Sequence, residues 1–165
     1  MNKRIVAMPF RHHASHVSAE ARKLLTDAGF ELRCNDTGRI LTSEEQHEMI
    51  KDACAVIAGT EKYSAEMLAG CDSLRVIVRF GVGCDNFDLA AMKQRGIRVG
   101  VIANYNAVAE YTVMLMLAAM KNYPRHERAV RRGEWARFPM REISGKTVGL
   151  IGFGRIGRRV AELLS

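Results

Sequence analysis

Five short apolar runs, at residues 4–8, 30–34, 55–58, 74–79 and 98–101, alternate with helical spacing, and no Asn-Gly or Asp-Gly hairpin turn joins any two of them. Strands that are not joined by tight turns must be connected by crossovers, and crossovers between strands of one sheet make those strands parallel. The connecting stretches carry their own helix signals. Val17, Ala21, Leu24, Leu25 and Ala28 recur at helical spacing and Gly29 follows as a natural stop. Thr42-Ser43-Glu44-Glu45-Gln46 holds two overlapping capping boxes at the head of a helix running to about Asp52. Ser64 is placed to cap a short helix to Leu68, and Asp88 to cap one through Met92 toward Gly96. Residues 1 to about 103 therefore read as a flavodoxin-like α/β domain, a parallel sheet covered by helices on both faces.

From residue 104 onward the character changes. Residues 107–120 are apolar almost all round, which predicts a helix buried between packed layers. Pro124 ends that helix or begins the next, and a polar, exposed helix is expected over 127–132. The tail is the most specific part of the chain. An apolar strand at 147–151 runs into Gly152-Phe153-Gly154-Arg155-Ile156-Gly157 and then an incipient helix, the opening of a dinucleotide-binding βαβ unit. The first glycine permits the tight turn, the second lets backbone approach a pyrophosphate, and the third lets helix and strand pack closely. The helix start then offers unpaired N–H groups and about half a positive charge.

The net charge is +7, and residues 121–165 carry 11 Lys and Arg against 4 Asp and Glu, so the whole excess lies there. With no interleaved aromatic residues or nucleic-acid motif, a solvated surface is favoured over a nucleic-acid interface. The four cysteines form no C-x-x-C pair and no leading apolar segment resembles a signal peptide, which points to a reducing cytoplasm. No stretch approaches the ~20 apolar residues of a membrane span. His13 and His16 have a spacing that reaches one metal, but with His12 they read as a solvated loop. His47 and His126 are expected on exposed helix faces, and no metal site is assigned.

In open parallel sheets ligands bind at the carboxyl ends of the strands, here the loops after Met8, Ala58, Arg79 and Val101. The third loop, Arg79-Phe80-Gly81-Val82-Gly83-Cys84-Asp85-Asn86, places two glycines directly after a strand. It reads equally as an anion nest suited to a small carboxylate and as a plain turn leading into the Asp88 cap.

Four segments taken together, 79–89, 104–110, 132–135 and 145–157, resemble in order and spacing the D-isomer-specific 2-hydroxyacid dehydrogenases. The resemblance implies that 1–103 is the N-terminal part of a substrate-binding domain. It implies that 104–165 holds the crossing helices and the first β-α unit of an incomplete Rossmann domain. The function implied is NAD(P)-dependent interconversion of a D-2-hydroxy acid and its 2-keto acid. Carried over by position, backbone N–H groups around Gly81 and Val82 would hold the substrate carboxylate, with Phe80 and Asn104 also meeting the substrate. Val82, Gly152, Gly154, Arg155, Ile156 and Gly157 would meet the cofactor, NAD, with NADP left open. Two departures stand out. Where phosphoglycerate dehydrogenases carry Arg-Ser after the third strand this chain has Ala58-Gly59, which puts phosphoglycerate in question, and where Thr-Pro-Gly is common it has Gly100-Val101-Ile102.

The family's Arg, Glu and His for hydride transfer, and the acidic residue that binds the adenosine ribose, are encoded beyond the fingerprint. No catalytic residue is therefore assigned, the 165-residue chain is expected to be inactive and to bind cofactor weakly, and a homodimer is expected of the complete protein. The alternative is a non-catalytic dimerisation module in which the helix from Ala107 and the 147–151 strand pair with another chain. Neither nucleic acid nor membrane is expected as a partner.

Overall fold

The computed structural model of the chain describes residues 4–11, 17–102 and 104–165. His12, His13 and His16, read above as a solvated loop, lie outside the described residues. Two compact units divide at Ala103 and Asn104.

The first unit is a five-stranded, all-parallel sheet. Its strands are β1 (Arg4–Met8), β2 (Phe30–Cys34), β3 (Ala55–Ala58), β4 (Val76–Arg79) and β5 (Arg98–Val101), in spatial order β2-β1-β3-β4-β5. Helices α1 (Ala19–Asp27), α2 (Ser43–Ile50) and α3 (Leu89–Gln94) make crossovers. Parallel pairing without hairpins follows from the absence of turn dipeptides. One sheet face carries the core: Ile50, Tyr63, Leu68, Leu74, Ile77 and Met92 are fully enclosed. The opposite face is less well covered than the apolar runs suggest. Helix α1 packs against β2 but buries none of its own residues, and Leu24 is two-thirds exposed. Two boundaries also differ. Ladder pairing in β4 begins at Val76, not Leu74, and residues 65–70 form turns instead of a helix, although Ser64 Oγ does accept the Met67 N–H at 3.3 Å.

Helix α2 resolves the overlapping capping boxes in favour of Thr42. Its hydroxyl accepts the Glu45 N–H at 3.2 Å while Glu45 accepts the Thr42 N–H at 2.9 Å, and Arg39 donates to Glu45 at 2.7 Å. The Arg39 guanidinium, and after it the Thr42 N–H, hold the Glu45 carboxyl down to about 2. A depressed carboxylate contributes stability above its unfolded value near ~4.3, and that contribution disappears as pH falls toward the folded value. Thr42→Ala should cost about 1 kcal/mol in urea unfolding at neutral pH, and the acid-sensitive part of α2 stability should shrink with it.

Tyr63 is enclosed, edge-on to Phe87 at 5.4 Å, and its hydroxyl makes no hydrogen bond among the described residues. A buried donor without an acceptor is a cost, so Tyr63→Phe should leave stability unchanged or raise it by up to about 1 kcal/mol. A clear loss on denaturant titration would show that the hydroxyl has a partner.

The second unit holds α4 (Asn106–Met120), α5 (Tyr123–Arg131) and α6 (Arg155–Leu164), with α4 packed on both α5 and α6. Asn122 at φ 49° takes the left-handed turn between α4 and α5, and Pro124 sits in the first turn of α5, where its missing N–H costs nothing. Against expectation, α4 is not buried: only Ala109 is enclosed, while Val108, Tyr111, Met114, Leu115 and Leu117 are exposed. The physical reason is that α5 and α6 cover one stripe of a helix whose sequence is apolar on every side. Residues 147–151 likewise form no ladder with any described residue, and Ile151 is fully exposed. A parallel strand without a neighbour has nothing to bond its N–H and C=O groups.

No helix among the described residues is long and apolar enough to cross a membrane.

Candidate functional site

A sheet of order 2-1-3-4-5 reverses direction between β1 and β3, and ligands bind where loops diverge at that switch. In the first unit, the loops leaving β1, β3 and β4 converge there on a small cavity of about 290 Å³, which includes Phe10, Arg11, Gly59, Glu61, Arg79 and Phe80 in its lining. Small-ligand clefts begin at about this size, roughly 300 Å³.

Each wall has a local cause. The loop after β1 is tied down by Asn35, whose buried amide donates to Pro9 O at 3.0 Å and Arg39 O at 2.8 Å. Phe10, only 8% exposed, stacks on Phe80 with ring centroids 5.9 Å apart and planes 10° from parallel. It can lie there because residue 59 is glycine: a Cβ at Gly59 would stand 2.4 Å from Phe10 Cβ. Glu61 folds back so that Oε2 accepts the Gly59 N–H at 3.0 Å, and Asn86 donates to Glu61 O at 2.6 Å, fixing the loop after β3. Helix α2 braces the same loop from behind, with Gln46 donating to Lys62 O at 3.2 Å and His47 Nδ1 3.0 Å from Met67 O.

The loop after β4 begins with Arg79. Its guanidinium donates to Phe80 O at 2.7 Å and lies over Gly81, 3.1 Å from where a Cβ would project, and its Nε is buried without a partner among the described residues. Gly81 has φ +150°, a conformation that side chains rarely adopt. The Gly81 N–H is committed to Arg79 O at 2.9 Å, whereas the Val82 and Gly83 N–H groups take no acceptor among the described residues. Of the carboxylate donors expected around Gly81 and Val82, the Gly81 N–H is thus taken; Val82 and Gly83 are the first free donors after the strand, and the Cys84, Asp85 and Asn86 N–H groups further along also take no acceptor among the described residues. Phe80 and Val82 are exposed beside them. Asn104 is exposed at the start of the second unit.

The glycine turn in the second unit shows a separate role for each glycine. Gly152 has φ +91°, which makes the turn. A Cβ at Gly154, the N-cap of α6, would meet nothing within 4 Å, so backbone there is open to approach. A Cβ at Gly157 would stand 2.4 Å from Gly152 O, so only glycine lets α6 pack against its own turn. No side chain among the described residues caps the helix, leaving its first N–H groups to an anion. The donor set and open backbone fit a diphosphate. The side chains of Arg155 and Arg159 turn elsewhere: Arg155 donates to Tyr105 Oη, with its guanidinium 5.3 Å over that ring, and Arg159 Nε donates to Asn106 Oδ1 at 2.9 Å. Arg155 thus offers the turn its backbone N–H, as does the half-buried Ile156.

Several of these residues escape a reading of the sequence. Phe10 and Glu61 carry no motif of their own, Arg79 is legible only as the head of the 79–89 segment and not as a guanidinium laid on Gly81, and only the i, i+4 spacing of Arg155 and Arg159 signals a shared anchoring face. His47 and His126 are half-buried, contrary to expectation. His47 reaches a backbone carbonyl, and His126 meets Phe138 edge-on at 5.1 Å.

A family model described as "D-isomer specific 2-hydroxyacid dehydrogenase, catalytic domain" matches residues 12–158. The chain is 43% identical to D-3-phosphoglycerate dehydrogenase of Methanocaldococcus jannaschii over 74% of its own length and 24% of the relative's. It is 32% identical to glyoxylate reductase of Pyrococcus furiosus over 81% and 43%. Its fold superposes on a cofactor (NAD+)-bound 3-phosphoglycerate dehydrogenase of Entamoeba histolytica with a TM-score of 0.77 at 27% identity, covering 98% of this chain and 50% of that one. The chain thus spans a quarter to a half of the length of these proteins.

Proposed function

The chain belongs to the D-isomer-specific 2-hydroxyacid dehydrogenase family, and from that premise we propose that it supplies the first part of the substrate and cofactor sites of an oxidoreductase that interconverts a D-2-hydroxy acid and its 2-keto acid. In this reading the first unit is the N-terminal part of the substrate-binding domain, and the second carries the crossing helix and the start of the nucleotide-binding domain. The observation that carries the reading is the glycine turn, in which Gly152 bends, Gly154 stays open and Gly157 packs against Gly152 O.

The substrate carboxylate rests on the free Val82 and Gly83 N–H groups, with Phe80 and Gly81 beside them; the resemblance alone adds Asn104 to the substrate residues. Two adjacent N–H donors aimed at one carboxylate give charge-assisted bonds stronger than neutral ones. The N–H groups of Gly154, Arg155 and Ile156 receive the pyrophosphate of NAD or NADP, and Gly157 keeps α6 close enough for them to do so. The resemblance also assigns Val82 to the nicotinamide. When bound, that ring supplies the hydride acceptor for C2 of the hydroxy acid and the donor for the reverse reaction.

The 165 residues alone are proposed to be catalytically silent and to bind cofactor weakly, since the resemblance puts the proton donor and the carbonyl-polarising Arg outside them. General acid/base catalysis contributes about 10²- to 10⁴-fold by itself. The test is to incubate the purified chain with NAD+ and a panel of D-2-hydroxy acids, following nicotinamide absorbance, and to titrate NADH by fluorescence. Weak, saturable NADH binding without turnover is the expected result; turnover by this chain, or binding that Gly154→Ala leaves untouched, overturns the reading.

A second reading has its own observation. The apolar residues left exposed on α4 suit a dimerisation module, and a homodimer is proposed for the complete enzyme. Size-exclusion chromatography that gives a monomer at all concentrations removes the module reading.

A further inference from the structure

We infer that the cavity at the β1/β3 switch receives the substrate's side chain, and that Glu61 and Phe10 select there an acid whose side chain is uncharged and unphosphorylated. The inference rests on the proposed seating of the carboxylate at Val82 and Gly83, and it goes further by naming the substrate class.

The loop holding those two amides starts from Arg79 and Phe80, and both residues also line the cavity. Val82 and Gly83 do not line the cavity themselves, and in the inferred pose an acid anchored on their amides extends the rest of its carbon chain past Phe80 into it. Three features fix what that chain is. The first is the aromatic pair: the wall over Gly59 is the face-stacked Phe10 and Phe80, an apolar surface made possible by the missing Cβ at residue 59. The second is the fate of the anion donors. A phosphate entering beside β3 would seek the Gly59 N–H, but Glu61 Oε2 already holds it at 3.0 Å, so the strand end carries a built-in anion. A dianionic tail would lose that donor and face a carboxylate at close range, a juxtaposition that costs selectivity heavily.

The third feature is the state of the cations. Arg79 lies flat on Gly81 with its Nη1 held by Phe80 O, so that its Nε, which has no acceptor among the described residues, is left as a single donor, and Arg11 is exposed to water, which screens it. Neither is arranged as a fork for a phosphate. A cationic tail fares no better, since both arginines line the same space as the one glutamate. What remains favourable is a short apolar chain against the two rings, within a cavity of about 290 Å³. The relatives named for a phosphorylated substrate therefore do not set the substrate of this chain.

The test is an amide chemical-shift titration of the ¹⁵N-labelled chain with D-2-hydroxyisocaproate, with 3-phosphoglycerate and with inorganic phosphate, repeated on Glu61→Gln. Expected for the native chain is a saturable shift of the Val82 and Gly83 amides with D-2-hydroxyisocaproate, and about tenfold or more weaker binding of 3-phosphoglycerate. In Glu61→Gln the gap should close to about threefold or less, and inorganic phosphate should begin to move the Gly59 amide. Equal affinities in the native chain, preference for the phosphorylated acid, or a gap untouched by Glu61→Gln overturn the specificity and leave the carboxylate site standing. If neither acid moves Val82 and Gly83, the carboxylate seating fails and this inference fails with it. The comparison of the two acids on the native chain decides the matter even where the variant does not fold, which the same spectra report.

Discussion

Replacing Ile77 by Ala is expected to lower the unfolding free energy of the first unit by about 2–5 kcal/mol, measured by urea titration followed by far-ultraviolet circular dichroism. Ile77 is fully enclosed in the middle of β4, and its neighbours on that face, Val56, Leu74 and Met92, are enclosed too. The cost has two parts: the transfer free energy of the removed carbon atoms, and a void that the surrounding side chains cannot fill without leaving their rotamers. There is a local consequence as well. Strand β4 leads directly into Arg79–Gly83, so a loosened β4 should also blunt the amide response of Val82 and Gly83 to a carboxylate ligand. A loss below about 1 kcal/mol would mean that the core re-closes around the cavity and that the sheet is more plastic than its packing implies.

The second large effect is a contrast between two glycines three residues apart. Gly157→Ala is expected to cost about 1–3 kcal/mol and to reduce NADH affinity about tenfold or more, because the new Cβ would stand 2.4 Å from Gly152 O. That partner is a backbone carbonyl, which cannot rotate away as a side chain would; α6 must retreat from the turn. Gly154→Ala meets nothing within 4 Å. Its stability cost should stay near the ~1 kcal/mol of a poorer N-cap, while NADH binding falls because the methyl group occupies the space a pyrophosphate would enter. Equal stability losses in the two variants would show that the third glycine is not a packing requirement. Unchanged NADH binding in Gly154→Ala would show that the open backbone is not where the cofactor sits.

Much of the architecture was legible from residue order alone. The five strands, the parallel pairing and the Asp88 cap follow from alternation, turn residues and capping chemistry, which act over a few positions. Thr42 required a choice between two registers that only the reciprocal bond with Glu45 makes. What could not be read depends on contacts between distant residues. Phe10 and Gly59 are 49 positions apart, and neither carries a signal that the ring of one fills the space left by the other. Glu61 taking the Gly59 N–H, and Arg155 and Arg159 anchoring on Tyr105 and Asn106, are likewise products of tertiary placement. Three of the misplaced expectations share an origin. Apolarity marks residues that want cover and does not say that cover is present; for α4, for residues 147–151 and for Leu24, the described residues do not provide it. His47 and His126 show the reverse, polar rings drawn inward by a carbonyl and by an aromatic edge.

The strand order β2-β1-β3-β4-β5 carries a consequence for biosynthesis. The strand made first ends with neighbours on both sides, so β1 leaves the ribosome before anything exists to pair with it. Its β2 partner follows after a crossover that contains α1, but the other flank stays open until β3 emerges some fifty residues after Arg4. From there the sheet grows outward in chain order, β4 onto β3 and β5 onto β4, each addition closing a loop of modest entropy cost. Nascent chains stalled between β2 and β3 should therefore be the ones that bind trigger-factor-type holdases most strongly, and that binding should fall once residue 58 has cleared the tunnel.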